Sequence, residues 1–319
     1  MQTPALKIND YQLNWGERTY LMGTLNITPD SFSGDGLLDA VDGLNIQRKS
    51  GVPIITENLL RKVLDQARRF INAGADILDV GGESTRPGSK PITVKEEIQR
   101  ITPIIKAIVS EFNILVSVDT YKAEVASAAL NAGAHIVNDV WALQADKDLA
   151  SIVAQYHAPI ILMHNRSSWM QAEVKEKLGG RYVGVEYQNL LEDIKRELLD
   201  SVALANNAGI PDEHIVLDPG IGFGKTVEQN LELLNRLEEI RALGYPVLIG
   251  TSRKSFIGYT LDLPPDQRLE GTAAAVSIGI ARGADIVRVH DVEFIARVVR
   301  MSDAIVRSKS PASESSLKY

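Results

Sequence analysis

The sequence predicts an α/β protein, a (β/α)8 TIM barrel preceded by an N-terminal β-hairpin. Three observations carry that reading. The phrase Ala73-Gly-Ala-Asp-Ile-Leu78 returns as Ala132-Gly-Ala-His-Ile-Val137 and as Arg282-Gly-Ala-Asp-Ile-Val287. Each copy ends a helical stretch on glycine and then enters a short apolar run. A polar residue stands where each run stops, at Asp79, Asn138 and Arg288. Finally, short β-branched runs alternate with amphipathic stretches eight times, which closes a barrel where five or six alternations would leave an open sheet.

Taken in order, Leu6–Ile8 and Gln12–Trp15 flank Asn9-Asp10 and read as the hairpin, giving an N-terminal unit over 1–19. Strands are expected at Tyr20–Leu25, Ile77–Val80, Leu115–Val118, Ile136–Val137, Ile160–Met163, Ile215–Leu217, Val247–Ile249 and Ile286–Val289. Helices are expected over 57–73, 94–112, 122–132, 148–156, 186–208, 227–243, 269–282 and 292–307. The barrel therefore spans 20–307, with a polar insertion at 37–56 read as a surface loop. A Ser- and Lys-rich tail over 308–319 reads as disordered.

Bulk composition narrows the functional classes. The 319 residues are 45% hydrophobic and 24% charged, ordinary for one globular barrel. No apolar run approaches the roughly 20 residues of a membrane helix, and Met1–Asp10 has no signal-peptide pattern. A net charge of −7 argues against broad nucleic-acid binding. With no cysteine, disulfides, thiolate nucleophiles and Cys-ligated zinc are excluded.

In a barrel of this kind the active site is assembled at the C-terminal strand ends. Here those ends carry Asn26, Asp79, Asp119, Asn138, Met163 with His164, Asp218, Gly250 leading to Lys254, and Arg288 with His290. Burying so many polar groups together is costly unless they pair with one another or with a ligand. Asp119, Asn138, Asp218 and Lys254 suit a flat polar heterocycle. Arg86, Arg253, Arg288 and His290 suit an anion, most simply a phosphate or pyrophosphate. Arg288 and His290 are two apart and so share a strand face.

The run from Asp218 to Thr226 invites a phosphate-loop reading, but Pro219 stands where the first glycine would be needed. It reads instead as a glycine turn on which a ring can lie beside Phe223, or as a tight turn alone. None of the five histidines is paired at i, i+4, which disfavours zinc, and most read as surface or turn residues. A metal, if used, would be hard and oxygen-ligated, with magnesium on substrate phosphates fitting best.

Met22-Gly-Thr-Leu-Asn-Ile-Thr-Pro-Asp-Ser-Phe-Ser33 and Gly74-Ala-Asp-Ile-Leu-Asp-Val-Gly-Gly-Glu-Ser-Thr-Arg-Pro-Gly-Ser89 resemble the two signatures of the dihydropteroate synthases. Ser117-Val-Asp-Thr120, Leu217–Thr226, Gly250–Ser255 and Val287–His290 extend the resemblance through nearly all of Met22–Arg307. It implies a transferase that condenses 6-hydroxymethyl-7,8-dihydropterin diphosphate with p-aminobenzoate, releasing pyrophosphate, in folate biosynthesis. It also implies Mg2+, a homodimer and a cytoplasmic location.

Carried over residue by residue, the resemblance implies that Asp119, Asn138, Asp218 and Lys254 hold the pterin, supported by Asp79, Phe223 and Met163. Asn26 would ligate magnesium, with Arg86, Arg288 and His290 around the leaving group. Phe32, Thr85, Pro87 and Ser252 would form the p-aminobenzoate pocket. Lys254, Arg288, His290, Arg86 and Asp35 are the expected catalytic residues. Two departures stand out. Loop 1 reads Phe32-Ser-Gly-Asp-Gly36 where the family has Phe-Ser-Asp-Gly-Gly, which displaces Asp35 by one, and Asn165-Arg166-Ser167 replaces Met-Arg-Gly. The alternatives are a barrel that passes a methyl group from a pterin to a corrinoid protein and a silent pterin-binding module. Neither accounts as well for the anion cluster.

Overall fold

The computed structural model describes residues 4–28, 48–49, 52–53, 55–85, 89, 91–167, 172–175, 177–182 and 186–307. Phe32, Asp35, Arg86, Pro87, the tail 308–319 and most of the insertion 37–56 lie outside them.

Strands β1 (Leu6–Ile8) and β2 (Tyr11–Leu13) form the expected antiparallel hairpin, which turns at Asn9 with φ of 50°. β3 (Tyr20–Asn26) opens the barrel, and β4 (Arg48–Lys49) pairs with β5 (Val52–Pro53) inside the insertion. Barrel strands β6 (Ile77–Gly81), β7 (Leu115–Asp119), β8 (Ile136–Asp139) and β9 (Ile160–Met163) follow. β10 (Ala172–Lys175) and β11 (Gly179–Tyr182) form a second hairpin. The barrel ends with β12 (Ile215–Asp218), β13 (Leu248–Ile249) and β14 (Ile286–Val289). The eight parallel strands lie in the order β12-β9-β8-β7-β6-β3-β14-β13, and a parallel bridge between Leu217 and Val247 closes the ring.

Helices α1 (Glu57–Ala73), α2 (Val94–Glu111), α3 (Ala123–Asn131), α4 (Leu149–Gln155) and α5 (Leu190–Asn207) match the expected stretches closely. α1 shows why. Thr56 caps it by accepting from the Leu59 amide, and Leu59, Val63, Ala67 and Phe70 line one buried face. Gly74, at φ of 106°, ends it in the left-handed conformation that only glycine adopts freely. Gly133 and Gly283 do the same in the other two copies of the repeat.

The expected helix 227–243 is two pieces, α6 (Val227–Asn235) and α7 (Leu237–Arg241), broken at Arg236. The extra helix α8 (Ser255–Leu261) and the β10–β11 hairpin were not expected from periodicity, being too short to repeat a pattern. α9 (Leu269–Ala281) and α10 (Val292–Val306) complete the outer layer.

Period-two alternation divides the core in two. Outward residues such as Leu78, Val116, Val137, Leu217 and Val287 pack under the helices. Inward residues Met22, Ile77, Leu115, Ile136, Ile161, Val216, Leu248 and Ile286 form an apolar floor, one from each strand. Leu6, Ile8, Leu13 and Trp15 of the N-terminal segment join that same cluster, so the hairpin seals the bottom of the barrel. No described helix is long and apolar enough to cross a membrane.

Candidate active site at the barrel mouth

One pleat above the apolar floor, the inward positions become polar. Asp79 on β6 follows Ile77, Asn138 on β8 follows Ile136, Asp218 on β12 follows Val216, and Arg288 on β14 follows Ile286. Asp79 is fully buried and accepts from Asn138 Nδ2 at 3.2 Å and from Arg288 Nε. Arg288 Nη2 donates to Asp119 at 2.6 Å. Burial works against the charge on Arg288, yet Asp79 and Asp119 outweigh it and raise the guanidinium further. Burial pushes the Asp119 carboxyl up, opposed by Arg288.

This geometry joins residues that the sequence reading set in separate groups. Arg288 was assigned to an anion cluster apart from the heterocycle-binding carboxylates, but its guanidinium bridges Asp79 and Asp119. Through Arg288 the two groups are joined. Arg253, assigned to the same anion cluster, donates from Nε to Asp291 at 2.8 Å. His290 does lie on the same side as Arg288, and its Nδ1 is 3.0 Å from Ser252 Oγ.

Lys254 reaches across the mouth. Its ammonium donates to the Ile221 carbonyl and lies 4.4 Å from the centre of the Phe223 ring. Burial lowers its pKa to about 8, with Asp218 resisting the shift. Asp218 accepts from the Gly220 amide at 2.7 Å, and burial raises its carboxyl against the pull of Lys254. Asn26, Thr85, Asp119, Phe223, Ser252, Lys254, Arg288 and His290 share one open cavity. Asp79, Asn138, Met163 and Asp218 are buried on β6, β8, β9 and β12.

The glycine turn is tighter than a ligand-facing loop requires. A Cβ on Gly220, at φ of 71°, would stand 1.9 Å from the His164 carbonyl oxygen. One on Gly224 would meet the Arg166 backbone at 2.7 Å. So these two glycines admit the chain's own backbone, and only Gly222, beside Lys254, lines the cavity. Thr226 closes the turn by capping α6 in a reciprocal pair with Gln229.

Sequence reasoning passed over several residues here. Lys225 is buried and donates to the Gly220 and Phe223 carbonyls and toward His164 Nδ1, at 3.0, 3.1 and 3.1 Å. Those three acceptors match the three protons of an ammonium, although burial pulls its pKa to about 7. His164, named at a strand end but given no role, is buried and within 3.0 Å of Glu197. Burial and Lys225 depress it to about 4, so it stays neutral with Nε2 donating to Glu197. Glu83 lines the cavity while bonded to Tyr121 at 2.8 Å and Lys122 at 2.7 Å. Tyr182 and Arg268 also line the cavity. Lys225 and Glu83 sit inside quoted motifs, but their partners lie on other loops, which no local pattern reveals.

Comparisons with known proteins identify the family. The family model described as pterin binding enzyme matches residues 44–290. The chain belongs to the dihydropteroate synthase family of pterin-binding enzymes. It is 48% identical to a dihydropteroate synthase of Clostridium beijerinckii over 303 residues, covering 95% of this chain and 100% of that one. A structure of the Clostridium difficile dihydropteroate synthase in the presence of pteroic acid is 44% identical with a TM-score of 0.78, covering 92% of this chain and 99% of that one. The Xanthomonas albilineans dihydropteroate synthase with 4-aminobenzoic acid is 33% identical with a TM-score of 0.79, covering 96% and 100%. The family expected from the motifs is thus the family found.

Proposed function

We infer that the barrel mouth condenses 6-hydroxymethyl-7,8-dihydropterin diphosphate with p-aminobenzoate to give 7,8-dihydropteroate and pyrophosphate, the dihydropteroate synthase step of folate biosynthesis. The observation that carries the reading is the joined layer of Asp79, Asp119, Asn138 and Arg288, with Lys254 laid over Phe223 at its edge. Amide and carboxylate groups in a closed-floored pocket recognise the donors and acceptors of a pterin edge. The relatives named above carry this activity in their names.

The aniline nitrogen of p-aminobenzoate is the nucleophile, so no side chain needs to be one. In this dissociative reading the bond from the pterin methylene carbon to the diphosphate oxygen breaks, the electron pair leaving with pyrophosphate, and the nitrogen then bonds to that carbon and gives up a proton to solvent. Asp119, Asn138, Asp218 and Lys254 orient the pterin, with Asp79, Phe223 and Met163 behind them. His290, Arg288 and Arg86 meet the charge that grows on the departing oxygens, a form of stabilisation worth several kcal/mol in such sites. Thr85 and Ser252, with Phe32 and Pro87, hold p-aminobenzoate, and the loop acid Asp35 would assist at the cationic methylene carbon.

Asn26 ends β3 at the rim and offers an amide oxygen, the hard donor type that magnesium accepts. Asn26 would hold Mg2+ carried in on the diphosphate, where the ion neutralises leaving-group charge. A homodimer fits the exposed apolar residues Ile278 on α9 and Phe294, Met301 and Ile305 on α10. The reading includes a cytoplasmic location.

Pyrophosphate release by the purified protein decides the matter. Release is expected only when pterin diphosphate, p-aminobenzoate and magnesium are all present, with dihydropteroate formed in equal amount. Release that ignores p-aminobenzoate, or no release at all, would overturn the reading.

A further inference from the structure

The β10–β11 hairpin is built into the cavity wall. Leu178, Gly179, Gly180 and Tyr182 line the same cavity as Thr85, Phe223 and Ser252. Buried Arg268 staples the hairpin down, donating from Nη2 to the Leu178 carbonyl at 2.8 Å and from Nη1 to the Arg253 carbonyl at 2.9 Å. Its guanidinium crosses Gly258, where a Cβ would come within 2.1 Å of Nη2. A buried cation satisfied by carbonyls from separate loops holds those loops in fixed relation.

Tyr182 is the point of that wall. It is 5% exposed, its ring stacks on Phe223 with centroids 6.1 Å apart and planes 27° off parallel, and its hydroxyl donates to the Thr85 carbonyl at 2.8 Å. One side chain thus braces the loop after β6 against the glycine turn after β12, the two segments that flank the outer half of the cavity. Burial pushes its phenol up to about 12, so it remains a donor at physiological pH. The polar layer that suits a pterin lies deeper, on the strands. A benzoate ring gains from flat aromatic faces, and its carboxylate can stay at the open rim.

We propose that Tyr182, carried by the β10–β11 hairpin, is a wall of the p-aminobenzoate subsite and determines which arylamines this enzyme accepts. The proposal rests on the synthase reading given above. It assigns the hairpin a share in specificity, separate from the deeper layer that holds the pterin.

The test compares the full-length protein with Tyr182→Leu and Tyr182→Phe, measuring KM for p-aminobenzoate, KM for pterin diphosphate and kcat. Tyr182→Leu should raise the p-aminobenzoate KM about tenfold or more while the pterin diphosphate KM stays within about twofold. The bulkier arylamine p-aminobenzoylglutamate should gain relative to p-aminobenzoate in the same variant. Tyr182→Phe keeps the ring but frees the Thr85 carbonyl, and should raise the p-aminobenzoate KM about threefold. If Tyr182→Leu does not fold, Tyr182→Phe alone decides. Unchanged p-aminobenzoate KM, or equal rises for both substrates, would overturn the proposal. A wild-type chain without turnover would refute the synthase reading instead. Calorimetric titration of p-aminobenzoate in the presence of pterin alcohol and magnesium pyrophosphate then tests Tyr182 without turnover, and equal affinities in wild type and Tyr182→Phe would sink the proposal.

Discussion

Replacing Arg288 with glutamine removes the cation that serves both Asp79 and Asp119. Breaking a buried pair by deleting one partner typically costs about 3–5 kcal/mol. Arg288 is 21% exposed against 0% for Asp79 and 10% for Asp119, so solvent can relieve part of that loss. About 2–4 kcal/mol is the expected total, shared between folding and binding. The variant should relieve the remaining repulsion by taking up a proton at Asp119, whose carboxyl burial already pushes upward. Pterin affinity should then become pH-dependent near neutrality, weaker where the unpaired carboxylates repel and partly restored by acid. The assay is calorimetric titration of pterin alcohol, which has no diphosphate, at several pH values, alongside turnover of the full substrates. A leaving-group role alone would slow turnover and leave pterin alcohol binding untouched. That result, at every pH, would refute the argument that Arg288 holds the pterin floor together.

Other perturbations follow from the same geometry. Lys254→Ala and Asp218→Asn should each weaken pterin alcohol binding by about 2–5 kcal/mol while leaving the urea midpoint nearly unchanged, and affinities within twofold of wild type would exclude them from the site. His164 is depressed to about 4 in the folded chain, so its contribution to stability is fully present above the unfolded value near 6.5 and is lost as pH falls through about 4. At most about 3 kcal/mol is at stake, and His164→Gln should flatten the urea-midpoint profile in that window, whereas identical slopes would show that the imidazole is not responsible. Gly220→Ala must adopt φ of 71° with its methyl 1.9 Å from a backbone oxygen, so it should unfold at markedly lower urea and lose turnover. A stable, active Gly220→Ala protein would show that the turn relaxes freely.

The sequence made the barrel legible because its logic is local. A glycine helix end followed by an apolar run appears at positions 74, 133 and 283, and φ near 100° at each explains why glycine recurs there. Gly209 and Gly244 make the same turn at φ of 95°, but prolines two residues on, at 211 and 246, disguise the repeat. Strand-end residues could be named for the same reason, since alternation alone brings Asp79, Asn138, Asp218 and Arg288 inward. Pairing among them could not be named. Arg288 and Asp79 are 209 residues apart, and only the closed ring makes them neighbours. Tyr182 and Arg268 were invisible because their partners are carbonyls on distant loops, and any residue can present a carbonyl.

The N-terminal hairpin has a kinetic consequence. Leu6, Ile8, Leu13 and Trp15 back the apolar floor, so among the described residues the cavity opens at the barrel mouth and not at the lower end. Whatever sits deepest must arrive first and depart with or after everything above it. If the pterin occupies the polar layer and p-aminobenzoate lies above it, the arylamine stands between the pterin and the mouth, and loading is sequential by geometry. Product leaves through the same doorway it was made behind, which makes traffic through the mouth a candidate for the slow step of each cycle.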